Sequence, residues 1–328
     1  MKPWANLSLD LDNQWSYMKT HGDPDWQSLP SYLDVLAPRA LELLDELGLH
    51  ITFFVVGQDA ALPGNRAALR ALGEAGHELA NHSFRHEPWL HLYGDAELEA
   101  ELARAEDAIG EATGATVRGF RGPGYSLSLR TLELLLERGY QYDATTLPTW
   151  IGPLARAYYF RTAQLDEEQR RERSMLFGQL RDGFQPLRPH RWVLGDRRLL
   201  EIPVTTFPFS RVPFHVSYLL TLSAFSPAAA RAYFRAGLAL CRMTGLEPSI
   251  LLHPLDLLGA DDVSALGFFP GMQLEGASKR ARVRDYLSDL TRRFHVVPMG
   301  LHAERLGATQ LRDREPSFPG ASSARVAA

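Results

Sequence analysis

His82 and His86, in the run Asn81-His82-Ser83-Phe84-Arg85-His86, stand four residues apart. One helical turn or a tight loop can therefore bring both imidazoles to a common point, a spacing that suits a metal ion. Asp10 and Asp12 are two apart near the N-terminus. At the end of a strand alternate residues face one side, so the pair presents two carboxylates together. Two imidazoles and two carboxylates furnish a hydrolytic metal site with one role left over, that of an acid or base. Arg121, Asp143 and His253 add a cation, a carboxylate and an imidazole. His77 and His91 have no such company and are assigned to structure.

These side chains need elements to carry them. Short β-prone runs recur at Asn6–Asp10, His50–Val56, His77–Ala80, Val117–Arg121, Tyr140–Asp143, Leu199–Thr205, Ile250–His253 and Phe294–Pro298. Between them lie helical patterns, Asp34 to Leu47, Asn65 to Ala75, Asp95 to Thr113 and Ser126 to Arg138, each stopped by a glycine, and a further helix from Ser226-Pro227 to about Met243. Strand and helix alternating in this way predict an α/β fold with parallel strands, closed as a distorted (β/α) barrel. A doubly wound sheet would want a glycine-rich loop after the first strand, and Asp10-Leu11-Asp12-Asn13-Gln14-Trp15 contains no glycine. Every polar candidate then falls at the C-terminal end of a strand, the face where a barrel builds its active site.

Composition narrows the function. The chain has 328 residues, 45% apolar and 23% charged, with 35 basic against 39 acidic residues and a net charge of -4. That balance excludes a disordered chain and gives no footprint for a nucleic-acid partner. Cys241 is the sole cysteine, so any metal must use His and carboxylate. No signal peptide or apolar stretch of about 18 residues is read, which predicts a cytoplasmic protein without a spanning helix. Residues 1–306 are expected to form one domain. Within it lie an arginine-rich helical insertion at about 154–198 and an apolar segment at 212–225, one packing over the other as a lid; 307–328 read as a flexible tail.

The order of motifs resembles the polysaccharide deacetylase family, over roughly residues 5–150 and 249–300. Asp10-Leu11-Asp12 is a spaced form of its paired aspartates, and His82-Ser83-Phe84-Arg85-His86 matches its histidine motif. Arg121-Gly122-Pro123-Gly124-Tyr125 matches its Arg-x-Pro segment, with glycine where many members have tyrosine, and Leu251-Leu252-His253-Pro254 its last motif. The resemblance implies that Asp12, His82 and His86 bind a divalent metal, zinc above all, with cobalt, nickel, manganese or iron as alternatives. It implies that Asp10 is the base, held ionised by Arg121, and that His253 is the acid, tuned by Asp143. It further implies that the Gly124 N–H, beside Tyr125, faces the oxyanion and that Trp150 lines the acyl pocket.

The activity so implied is removal of an N-acyl group, acetyl or formyl, from an amino sugar. A basic insertion beside an apolar run suggests a glycolipid or lipid-linked sugar at the inner face of the membrane, with peripheral contact. The alternative is a soluble amidase or cyclic imide hydrolase acting on a small metabolite. Oligomeric state is left open.

Overall fold

The computed structural model describes residues 2–162, 165–173, 176 and 180–318. Its strands are β1 (Trp4–Leu11), β2 (Thr52–Val55), β3 (Glu78–Asn81), β4 (Gly119–Phe120), β5 (Tyr142–Asp143), β6 (His190–Leu194), β7 (Arg197–Glu201), β8 (Ser249–Leu252), β9 (His295–Val297) and β10 (Asp313–Arg314). They form one sheet in the order β10-β6-β7-β5-β4-β3-β2-β1-β8, with β9 also on β1. All pairs are parallel except the β6–β7 hairpin.

The ends of this sheet are tied together just beyond β7. Ile202 N–H donates to the Asp143 carbonyl (2.9 Å) and Val204 N–H to that of Thr146 (2.9 Å), while Thr205 N–H donates to Ser249 (3.0 Å). Ser249 N–H in turn donates to the Thr205 hydroxyl (2.8 Å). Residues 202–205 thus bridge β5 to β8, completing a distorted (β/α) ring of β1, β2, β3, β4, β5, β7 and β8. The eighth expected strand, β9, stays outside it: β9 pairs Trp4–Asn6 of β1, and β2 takes over that side of β1 from Ser8 onward.

Alternation along β1 sorts its side chains. Leu7, Leu9 and Leu11 join the outer core with Leu36 and Leu43 of the helix Leu33–Glu46. Asn6, Ser8 and Asp10 face the ring's interior. There Phe54, Ala80, Tyr142 and Ile202 pack with Met299, Ala303 and Leu306 of the helix Met299–Gly307. That helix plugs the N-terminal end of the ring, Met299 N–H donating to the Thr52 hydroxyl (2.7 Å) and Gly300 N–H to the Glu78 carboxylate (2.8 Å).

The expected helices are present, that at Asp95–Thr113 ending at Gly114 in the left-handed region (φ 75°) that glycine tolerates. The helix Pro227–Thr244 starts where the Ser226 side chain accepts from Ala229 N–H.

Three expectations change. The insertion is helical only in part: helices Gly152–Thr162 and Glu167–Glu172 lead into the β6–β7 hairpin, because His190-Arg191-Trp192-Val193-Leu194 is β-prone and Gly195-Asp196 makes its turn. The tail is tied down as far as Phe318, with β10 pairing β6, Asp313 meeting Arg198 (2.9 Å) and Phe318 packing on Trp192. Residues 319–328 lie outside the described residues. Finally, the 212–225 run is no exposed patch under a lid. It holds the helix Val216–Ser223, whose Val216, Leu219 and Leu220 bury their side chains with Phe214 and Phe234. Helical spacing puts these residues on one face, and the neighbouring helix Pro227–Thr244 covers it. Among the described residues no helix is long and apolar enough to cross a membrane.

Gly57 is the tightest joint between the barrel and the histidine loop. Its N–H donates to the Ser83 carbonyl (2.9 Å), and a Cβ there would stand 2.6 Å from Ala105 Cα and 2.8 Å from the Phe84 ring. Gly57→Ala should lower unfolding free energy by about 1–3 kcal/mol, read from the denaturant midpoint. An unchanged midpoint would show that the helix Asp95–Thr113 yields at this contact.

Candidate active site

Asp10 and Asp12 leave the C-terminal end of β1 together but enter different partnerships. Asp10 meets Arg121, just beyond β4, with Nη1 to Oδ1 at 2.5 Å. The guanidinium is wholly buried and fully engaged: Nη1 also donates to the Ser8 hydroxyl (2.9 Å), Nε donates to the Ala144 carbonyl (2.9 Å), and the group lies 4.2 Å from the centre of the Phe54 ring. A buried charge needs this degree of satisfaction to offset its lost hydration.

Asp12 turns instead to the histidines, its Oδ1 lying 3.4 Å from His82 Nε2 and 3.0 Å from His86 Nε2. Burial pushes the Asp12 carboxyl up, but the neighbouring His86 and His82 imidazoles outweigh it and hold the carboxyl well below the usual range. Burial works against the charged form of His82 as well, and Asp10 and Asp12 overcome it, leaving the imidazole raised. The carbonyl of Asp12 accepts from the Tyr32 hydroxyl.

The loop that carries the histidines is strained and braced. Ser83 (φ 61°) and His86 (φ 52°) both sit in the left-handed region. Its backbone donors are taken by side chains: Asn81 accepts from Ser83 N–H (2.8 Å), Ser83 from His86 N–H (3.2 Å), and the buried Glu101 from Phe84 and Arg85 N–H (3.0 and 2.8 Å). The close spacing of His82 and His86 is therefore met by a loop, not a helical turn.

A divalent metal fits this donor set. The ligand atoms of Asp12, His82 and His86 lie within 4.8 Å of one another. Asp12 Oδ1 is buried and lacks a hydrogen-bond partner among the described residues, an orphan that a cation would satisfy. His82 Nδ1 is 2.7 Å from the Arg121 carbonyl, which leaves Nε2 free for a metal and fixes the ring.

On the opposite side His253 follows β8. Its Nδ1 lies 3.1 Å from the Ser217 hydroxyl, and its N–H donates to Asp256 (2.8 Å). Burial raises the Asp256 carboxyl against the opposing pull of His253, Ser217 and Lys279. The His215 ring packs 5.7 Å from that of His253, and burial, then the charges of His253 and Arg121, keep it well below the ordinary imidazole range. The Tyr17 hydroxyl feels both Asp12 and Asp256 and so links the two halves of the site, its phenol raised chiefly by burial.

Asp143 departs from expectation. Its carboxyl is buried beside Glu201, which faces it in register, and burial with that like charge pushes it well above the carboxylate range. Its oxygen accepts from the Thr145 hydroxyl (2.5 Å), which accepts from Gly122 N–H (2.8 Å). Asp143 thus braces the loop after Arg121; the carboxylate beside His253 is Asp256. That residue carried a signal, three positions after His253 with proline between, the spacing of a reciprocal cap. Ser8 could have been read from its alternation with Asp10. Ser217, His215 and Tyr17 left no local mark.

Gly124 (φ 57°) and Tyr125 (φ 64°) follow in the left-handed region, and a Cβ at Gly124 would meet Pro88 at 2.7 Å. Tyr125 N–H is spent on the Gly122 carbonyl (3.1 Å), while its phenol, raised first by burial and then by Asp10, stands at the site. Trp150 is 41% exposed, its N–H donates to the Ser210 carbonyl (2.7 Å), and a Cβ at Gly183 would stand 3.0 Å from its own, an environment outside the buried cluster. His77 and His91 hold structure: His77 Nδ1 accepts from Ile51 N–H (3.2 Å), and His91 pairs with Ser126 (2.8 Å).

Residues 30–142 match the polysaccharide deacetylase family, the stretch that holds His82, His86 and Arg121. A peptidoglycan deacetylase of Helicobacter pylori is 28% identical over 157 residues, 47% of this chain, and the match spans about half (51%) of that relative's length. A putative polysaccharide deacetylase from Mycobacterium smegmatis shares the fold at a TM-score of 0.62, with 22% identity over 97% of this chain and 99% of its own. The fold of Puue allantoinase is also similar, at a TM-score of 0.57 and 15% identity over 93% of this chain and 90% of that one.

The division between the aspartates can be read by metal titration. Asp12→Ala, His82→Ala and His86→Ala should each abolish stoichiometric zinc binding, whereas Asp10→Asn should retain it, because Asp10 is committed to Arg121. Loss of metal from Asp10→Asn would reverse these assignments.

Proposed function

We propose that the protein is a metal-dependent amide hydrolase that removes an N-acyl group, acetyl or formyl, from an amino sugar. One observation carries this reading: two neighbouring aspartates are split by their partners, one toward two histidines and one toward a buried arginine. That split separates a ligand from a base, as hydrolysis of an unactivated amide requires. The deacetylase family match over 30–142 supports the same class.

Asp12, His82 and His86 would hold the metal, and zinc suits an Asp–His–His set. When bound it polarises an amide carbonyl and acidifies water. Asp10 takes the proton of the attacking water, its carboxylate oriented by Arg121, whose guanidinium Ser8 shares. His253 gives a proton to the departing amine from the opposite side, its Nδ1 set by Ser217 and its backbone by Asp256. Asp143 acts at one remove by fixing the Arg121–Gly122 turn through Thr145. The Gly124 N–H, with Tyr125 beside it, faces the developing oxyanion, a task that needs backbone alone. Trp150 closes the acyl side from the rim.

A lipid-linked amino sugar is the finer form of this reading. Its surface would be what the 212–225 run leaves exposed, Tyr218, Leu222 and Phe225, since Leu219 and Leu220 belong to the core.

Zinc-loaded protein given N-acetylglucosamine and its β-1,4-linked oligomers should release acetate and free amine with a rate that rises and then falls with pH. The rise reports a base that must ionise and the fall an acid that must stay protonated. His253→Ala should lower kcat by about 10²–10⁴ and flatten the alkaline limb. An unaltered alkaline limb in that variant would remove His253 from the mechanism. Absence of acetate from every oligomer, with ring opening of a cyclic imide instead, would replace this reading by the small-metabolite amidase.

A further inference from the structure

The helix Val216–Ser223 divides its side chains between two surroundings. Val216, Leu219 and Leu220 lie in the core with Phe214 and Phe234, while Ser217 turns to His253. His215 stands immediately before the helix, at its cap. A residue there ordinarily uses its side chain to accept from the free N–H groups of the first turn. His215 makes no such bond: only its backbone carbonyl serves the helix, accepting from Tyr218 and Leu219 N–H (3.1 and 3.4 Å).

The imidazole itself is left without a partner. His215 is 6% exposed and its Nδ1 is buried with no hydrogen bond; among the described residues its Nε2 has none either. The ring stands edge-on to that of Tyr218, centres 4.6 Å apart, and 5.7 Å from the ring of His253. Polar atoms stripped of water without replacement bonds cost free energy that an apolar ring at the same packed position would not. What the imidazole keeps is the capacity to accept. Burial, His253 and Arg121 all disfavour its charged form, so one ring nitrogen carries a lone pair.

An acceptor beside the proton donor matches the leaving nitrogen of an amide. Once water has added to the carbonyl, that nitrogen bears both a lone pair and its own hydrogen, and the two point in different directions. His253 serves the lone pair, which leaves the N–H in need of an acceptor. Two rings with centres 5.7 Å apart can both reach one such atom at hydrogen-bond distance. The oxygen of an ester in that place has no hydrogen to offer, and a site built around an N–H disfavours the analogue that lacks it.

We propose that His215 is a specificity-determining residue that accepts the N–H of the scissile amide and so selects N-acyl over O-acyl substrates. The proposal rests on the amide-hydrolase reading above and deepens it. As the C–N bond breaks, its electron pair stays on nitrogen and takes the proton of His253, and the acyl carbon departs with the oxygen of the attacking water. The hydrogen held by His215 never leaves the nitrogen, so His215 begins and ends the step neutral.

Calorimetric titration of zinc-loaded Asp10→Asn protein, which binds without turnover, reads this contact. The probes are the β-1,4-linked dimer of N-acetylglucosamine and an O-acetylated β-1,4-linked dimer of xylose. His215→Phe in that background should weaken binding of the amide by about fivefold and of the ester by less than about twofold, the loss of a single hydrogen bond. His215→Gln, whose side-chain carbonyl can accept in the same place, should recover most of the amide affinity. If His215→Phe does not fold, His215→Ala takes its place with the same expectation. Equal weakening for both probes, no weakening, or no binding of the amide would overturn the proposal. Acetate release by the native protein is scored separately. Amide binding that depends on His215 without release of acetate would defeat the hydrolase reading and leave the His215 contact standing.

Discussion

The buried guanidinium of Arg121 is the constraint to which the rest of the site is fitted. A charge with no exposure must find its hydration inside the protein, and here the replacements come from far apart in sequence: Ser8 and Asp10 of β1, the Ala144 carbonyl after β5, the Phe54 ring of β2 and Met299 of the plugging helix. Its own carbonyl then orients His82. Ser8 and Asp10 belong to β1, which lies beyond β3 and β2 from β4, so they reach Arg121 across the ring's interior. The closure made by residues 202–205 is therefore part of the electrostatics of the site as well as of the fold.

Strain is gathered at the same end of the barrel. Ser83, His86 and Tyr125 all adopt backbone angles that cost non-glycine residues free energy, and they persist because Asn81, Glu101 and the Asp143–Thr145 pair hold the surrounding loops. Burial raises Glu101 and Asp143 above their ordinary range, so the bracing groups are themselves held in costly surroundings. Such an arrangement favours rigid placement of the reacting groups over global stability.

The two departures from a simple barrel serve the two sides of the mouth. The apolar run at 212–225 buries one helical face in the core and turns Ser217 from its other side onto His253. The insertion, anchored through Arg173, walls a cavity beside the histidine loop. Leu219 and Leu220 are thus consumed within the core, and Arg173 within the anchor of the insertion.

Local chemistry was enough to foretell the α/β alternation, the glycine-stopped helices and the pairing of Asp10 with Asp12 and of His82 with His86, because each depends on periodicity, on backbone stereochemistry or on spacing along one strand or loop. What needed tertiary structure was every relation across the ring. The partner of His253 is Asp256 and not Asp143, since Asp143 is drawn to Glu201 by strand register, and register is a property of paired strands. Leu219 and Leu220 are buried because a helix that follows them in sequence folds back over them. Hydrophobicity measured along a chain records the tendency to leave water; only the folded arrangement determines whether a helix, a membrane or a partner receives it.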